Sequence, residues 1–272
     1  MRYFLIALLL NFLASPKLYA QSAIPEEEDP RPKIKHADPV FEDLTTELGA
    51  RRGENELNIN FGYRKLRENH HVFLSQLEYE IAPINNLGIE VLLPYTMYFN
   101  NQLDERDRPG NRMEFLQWGT QYTFHTSAKR KISMALAFRN ILETQDPNQT
   151  DRNFSLATVS YNPFLIFANN WQDKYFFLAS GGFQVHQEVV ERQWGLEFPL
   201  NTAFHYNFSE RDHFVGVEFN KIFEEGEFEM FIRPQVIFQV FEDYIVGISF
   251  GIPVNMPDVK WTTFLRLAYE FR

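Results

Sequence analysis

From residue 56 to the end, the chain alternates apolar and polar residues with period two, the signature of strands that show one greasy face and one wet face. The last strand is the clearest guide. In 261–271, Trp261, Thr263, Leu265, Leu267, Tyr269 and Phe271 share one face, while Thr262, Phe264, Arg266, Ala268 and Glu270 share the other. The same reading predicts twelve segments: 56–66, 70–82, 87–99, 113–125, 132–140, 154–168, 175–187, 195–208, 213–223, 227–240, 244–252 and 261–271. They run to roughly 9–15 residues, near the 9–11 that a tilted strand needs to span a bilayer and longer than the 5–6 of soluble strands. The longest connections, 100–112 and 141–153, both follow odd-numbered segments. Short turns on one side and long loops on the other, with an even strand count, fit an antiparallel up-and-down transmembrane β-barrel with both ends of the chain in the periplasm.

If the apolar faces meet lipid, the alternate positions line the interior. These are Glu56, Arg64, Glu78, Glu80, Glu90, Arg139, Glu197, Glu218, Glu229, Arg233, Arg266 and Glu270, joined by Gln76, Gln117, Gln121, Gln184, Asn201, Gln235 and Gln239. No charge falls among the residues assigned to the lipid face, where one Arg or Lys at mid-depth costs roughly 2–4 kcal/mol. Eight glutamates against four arginines give a lumen biased toward cations. The competing reading is a lumen shut by salt bridges. Tyr95, Trp118, Tyr175, Tyr206, Trp261 and Tyr269 sit near segment ends and suit interfacial aromatic belts.

The start of the chain sets the compartment. Met1-Arg2, the apolar run 4–13 and Leu18-Tyr19-Ala20 predict a signal peptide over 1–20, with Pro16 and Lys17 ending the run too early for a spanning helix. Export to the outer membrane follows. A net charge of −10 excludes nucleic acid as a partner, and the absence of cysteine excludes disulfides. The abundance of aromatics (28 Phe, 12 Tyr) suits strands and interfaces.

Residues 21–55 form a separate arm preceding the barrel of 56–272. An acidic, Pro-containing leader gives way to His36-Ala37-Asp38-Pro39. Asp38 can cap a helix with Pro39 at its first position. Val40, Phe41, Leu44 and Leu48 then fall on one helical face, and Gly49 suits the stop. The spacing predicts a short amphipathic periplasmic helix over 39–48. His36, Asp38, Phe41, Leu44, Leu48, Arg51 and Arg52 are its candidate contacts, either capping the mouth of the barrel or acting as a plug or docking element.

This arm carries a resemblance. H-A-D-P-x-F-x-D-L followed by L-G-A-R-R-G-E-x-E-x-N resembles a family of uncharacterised outer-membrane proteins of the Bacteroidota, whose pattern runs H-A-E-P, then L-G-A-R-[RK]-G-E, then a first strand. Asp38 stands where the family has Glu. The resemblance implies location and barrel architecture and no activity.

Candidate chemistry is sparse. His70, His71, His125, His186, His205 and His213 have no Ser-centred partner of the kind a barrel phospholipase needs. They read as solvated rim residues. His70-His71 point to opposite faces, and Asp104, Glu105 and Asp107 lack the full spacing of a calcium loop. No catalytic residue, cofactor or metal site is expected. The partners expected are outer-membrane lipid, the barrel-insertion machinery and a small solute. Two functions stay open: a passive channel or porin-like transporter, or a structural or assembly protein whose closed lumen is plugged or docked by the arm.

Overall fold

The computed structural model describes residues 31–42, 44–67, 70–99, 109–148, 155–224 and 226–271. The signal peptide, the leader 21–30 and Asp104, Glu105 and Asp107 fall outside them. The strands in chain order are β1 Asn55–Leu66, β2 His71–Ile84, β3 Leu87–Phe99, β4 Arg112–Met113, β5 Phe115–Ser127, β6 Ile132–Thr144, β7 Leu156–Trp171, β8 Tyr175–Gly182, β9 Gln184–Glu188, β10 Trp194–Asn207, β11 Phe214–Glu224, β12 Glu227–Phe241, β13 Tyr244–Val254 and β14 Val259–Phe271. The two-residue β4 only extends the edge of β3, and β8 with β9 makes one interrupted stave. Twelve staves result, matching the twelve periodic segments.

Each stave pairs antiparallel with its chain neighbours, and β1 pairs with β14 from Asn55↔Phe271 to Leu66↔Val259, which closes the ring. Closure leaves no sheet edge and lets every stave satisfy its backbone laterally. The break at Phe183 has a local cause. Phe183 N–H donates to the Pro163 carbonyl (3.3 Å), but Pro163 has no N–H to return, and the Asn162 side chain donates to the Phe183 carbonyl instead (3.0 Å).

The outer face is apolar. Leu165, Leu136, Val215, Phe204 and Ile248 are among its exposed side chains. Aromatic rings gather at both ends. Tyr175 lies tilted against Tyr206 (5.3 Å between centroids) and Tyr244 against Tyr269 (4.8 Å) at the end that carries the arm, while Tyr63 meets Trp261 (5.2 Å) at the long-loop end. Two lysines depart from the charge-free face expected. Lys65 donates to His71 Nε2 (2.6 Å), and Lys221 donates to Thr202 Oγ1 (2.9 Å) with its ammonium 5.5 Å from the Phe219 ring. Both lie toward the long-loop end, where a cation costs only ~0–1 kcal/mol because its long stem reaches the interface.

The arm does not form the predicted helix. Residues 39–42 and 44–48 run through bends and a turn inside the barrel. The reason is in its hydrogen bonds. The wall takes the arm's amides: Val40 N–H donates to Gln235 Oε1 (2.9 Å), Phe41 and Glu42 N–H to the Glu218 carboxylate (3.3 and 2.9 Å), and Gly49 N–H to Thr123 Oγ1 (3.0 Å); a helix begun at Pro39 would leave the Val40 and Phe41 amides unpaired in its first turn and pair only those beyond. A ten-residue helix is marginal alone, so these external acceptors decide its conformation. The i, i+4 apolar residues also serve two separate clusters. Ala37 and Val40 pack with Phe176, Phe214, Ile237 and Phe264, and Leu44 and Leu48 with Ala135, Ala137, Phe164, Ile166, Ala168 and Leu178. An irregular chain reaches both, and each buried Val or Leu contributes about 1.5–3 kcal/mol.

Candidate functional site: the occupied lumen

The lumen is organised around the arm. At its centre, ionisable groups from the wall pair with one another or with the arm. Arg266 spans the space, donating to Glu56 (2.8 Å) and Asn58 (3.1 Å) and reaching the Pro39 carbonyl (3.5 Å). Asn58 in turn donates to Glu80 (2.8 Å), and Asn60 to Glu78 (3.3 Å). Arg139 lies 3.5 Å from Glu90 and forms an ion pair with Glu42 of the arm, while Gln117 donates to Glu90 (2.9 Å). Arg233 donates to Asn220 (2.8 Å) and Thr262 (2.7 Å), and its guanidinium lies 3.5 Å from the centre of the Phe41 ring. Such a contact is a desolvated cation–π interaction worth about 2 kcal/mol.

Burial separates this layer from a water-filled pore. Glu218 is 0 % exposed, Glu90 1 %, Arg233 2 % and Glu78 3 %. Charges removed from water to that degree persist only when paired or hydrogen-bonded, since an unpaired one costs several kcal/mol. Glu218 meets this condition through two arm amides and the Asn220 side chain (2.6 Å). Arm and wall therefore hydrogen-bond to each other across the lumen, and Gln121 likewise donates to the Thr46 carbonyl (2.7 Å).

Not all predicted lumen residues join this layer. Glu270 lines a cavity of about 660 Å³ at the arm end, shared with Glu56, Glu80, Arg266 and the arm residues His36 and Asp38. Arg64 is exposed, and Glu197 and Glu229 are partly exposed toward the long-loop end. Among the arm candidates, Phe41, Leu44 and Leu48 face the wall. His36 pairs with Ser133 Oγ (2.8 Å), and burial holds its imidazole down at about 4. Arg51 and Arg52 belong to the turn entering β1 instead. Arg51 donates to the Arg31 carbonyl (2.5 Å), and the Arg52 amide to Asn85 (2.9 Å). Lys33 anchors the same turn, 2.5 Å from Glu47 and 2.7 Å from Glu54. Burial alone would lower its pKa, but these two carboxylates outweigh that and raise it.

Sequence reasoning missed the apolar part of the lumen. Phe176, Phe214, Phe231, Ile237 and Phe264 point inward and are buried. Their signal was available: each is a large apolar residue on a face otherwise reserved for polar groups. His205, expected at a solvated rim, is likewise inside, 4 % exposed, with its Nε2 2.8 Å from Gln235 Nε2.

Known proteins agree with this architecture. An outer membrane channel from Pseudomonas putida F1 superposes with a TM-score of 0.58 at 10 % identity, covering 86 % of this chain and 100 % of the channel. The KdgM porin gives 0.56 at 10 % identity over 80 % and 99 % of the two chains, and the NanC porin 0.55 at 9 % over 79 % and 99 %. At such identities the likeness is one of fold. No curated protein matches the sequence. The model of the HAEPLYID-like family matches residues 32–270, arm and barrel together, and the chain belongs to that family.

Proposed function

We propose that the protein is an outer-membrane, porin-like channel for small solutes that its own N-terminal arm holds shut, and that conduction requires the arm to leave the lumen. The observation that carries this reading is the wholly buried Glu218, whose two oxygens accept the amides of Phe41 and Glu42. A permanently solid barrel needs no separate chain segment to satisfy its interior, whereas a removable one leaves behind a polar, acidic wall. In this reading the short turns and the arm face the periplasm and the long loops face outward, the sidedness usual for such barrels. Export by a signal peptide, insertion by the barrel-assembly machinery and a Bacteroidota source belong to the same reading.

The test is planar-bilayer recording of the refolded mature chain beside a variant lacking residues 31–49, with heat-modifiable gel migration as the check on barrel closure. The intact chain is expected to stay silent or open briefly, and the variant to give steady conductance steps. Equal stepping by both would remove the arm from the gate. A closed but silent variant would favour the alternative, a structural or assembly protein.

A further inference from the structure

Toward the long-loop end, one group of side chains stands apart from the buried ionic layer. His186 of β9, Glu197 of β10 and Glu224 at the end of β11 each offer a ligand atom, and these atoms all lie within 4.8 Å of one another. Strand register assembles them. His186 stands opposite Gly195, Glu197 opposite Gln184, and Glu197 on its other side opposite Glu224.

Three features distinguish the group from a solvated acidic rim. The first is the imidazole, which is fixed. A Cβ on Gly195 would stand 1.9 Å from His186 Nε2, so the ring lies across the bare backbone of β10, with Nδ1 3.6 Å from Glu197 Oε1. Glycine at 195 provides that seat. The second is the juxtaposition of like charges. Glu197 and Glu224 face each other directly across a ladder, and Glu224 also faces Glu227 on β12. Such pairs are destabilising without a cation between them. The third is the lack of a resident cation. Among the described residues, no lysine or arginine pairs with Glu197 or Glu224, whereas the wall carboxylates Glu56 and Glu90 lower in the barrel each have an arginine.

We propose that His186, Glu197 and Glu224 bind a divalent first-row transition-metal ion, with Zn²⁺ as the representative. One imidazole with two carboxylates suits such ions, while Ca²⁺ and Mg²⁺ prefer all-oxygen shells. Metal–ligand distances of about 2.0–2.2 Å require the three groups to draw in by roughly an ångström. The exposed Glu224, at a strand end, has the freedom to do so. Three protein ligands leave a fourth coordination position open. The site does not depend on whether the barrel conducts.

Isothermal titration of the full mature chain in detergent with Zn²⁺ tests the assignment. The expected result is one Zn²⁺ per chain. Binding should be weakened at least about tenfold by His186→Ala, by Glu197→Gln and by Gly195→Ala, which unseats the ring without removing a ligand. Millimolar Mg²⁺ or Ca²⁺ should not compete. Gel mobility before and after heating confirms that each variant retains a closed barrel. No stoichiometric Zn²⁺, or binding that the three variants leave unchanged, would overturn the site. Equal competition by Mg²⁺ or Ca²⁺ would overturn the class of ion.

Discussion

His36 shows how a single residue ties the arm to its surroundings. Its imidazole is held at about 4 by burial, against the ordinary 6.5, although Glu47 nearby acts in the opposite sense. Ser133 Oγ is its hydrogen-bonding neighbour on the wall. The docked arm therefore holds a neutral ring. Above about pH 6.5 the His36 ring is neutral in docked and released arms alike, and it takes nothing from docking. As pH falls from there toward 4, only the released imidazole takes up a proton, which favours release by up to about tenfold per unit. The chain has no cysteine, so a single thiol reports cleanly on this equilibrium. In a Thr45→Cys variant, at a site 0 % exposed, maleimide labelling corrected for thiolate fraction should accelerate between pH 6.5 and 4.5. His36→Gln should flatten that profile. A wild-type profile already flat would separate His36 from docking.

The elements differ in how openly the sequence declares them. Strands facing lipid must be apolar at every second residue, so β14 and β10 announce themselves, and so do ionisable lumen residues such as Arg266 and Glu218. The arm was misread because Val40, Leu44 and Leu48 satisfy helical spacing, while the acceptors that unwind it, Gln235 and Glu218, lie nearly two hundred residues away. The inward Phe214, Phe231 and Phe264 look like lapses in alternation until the arm is seen. Two of them, Phe214 and Phe264, form the surface that receives Val40. The contact between arm and wall is close enough to disrupt from the wall alone. A Cβ at Gly88 of β3 would stand 2.0 Å from Thr46 Oγ1. Gly88→Leu should therefore push the arm out while the barrel stays closed, raising Thr45→Cys labelling at neutral pH by about tenfold or more, since overpacking costs roughly 1–3 kcal/mol. Unchanged labelling would mean that Thr46 does not rest on β3.

Across the whole molecule the lumen is layered. Apolar pockets filled by the arm lie toward the end with short turns, a buried ionic network links wall and arm, and the acidic side chains Glu197, Glu224 and Glu229 lie toward the long loops. The account rests on one claim: that arm residues 37–42 and 44–49 lie inside a closed twelve-stave barrel. One pair of residues tests it most directly. Val40 Cβ lies 3.6 Å from where a Cβ on Gly247 of β13 would stand, within the range that a disulfide requires. Replacing both with cysteine also exchanges the Val40 methyl groups, the nearest atoms, for the bridging sulfur. In membranes carrying Val40→Cys/Gly247→Cys, spontaneous oxidation should join the two positions in nearly all molecules. After cleavage between arm and barrel, the arm should stay attached until reductant is added. Arms that separate without reductant, with the barrel still heat-modifiable, would contradict the account.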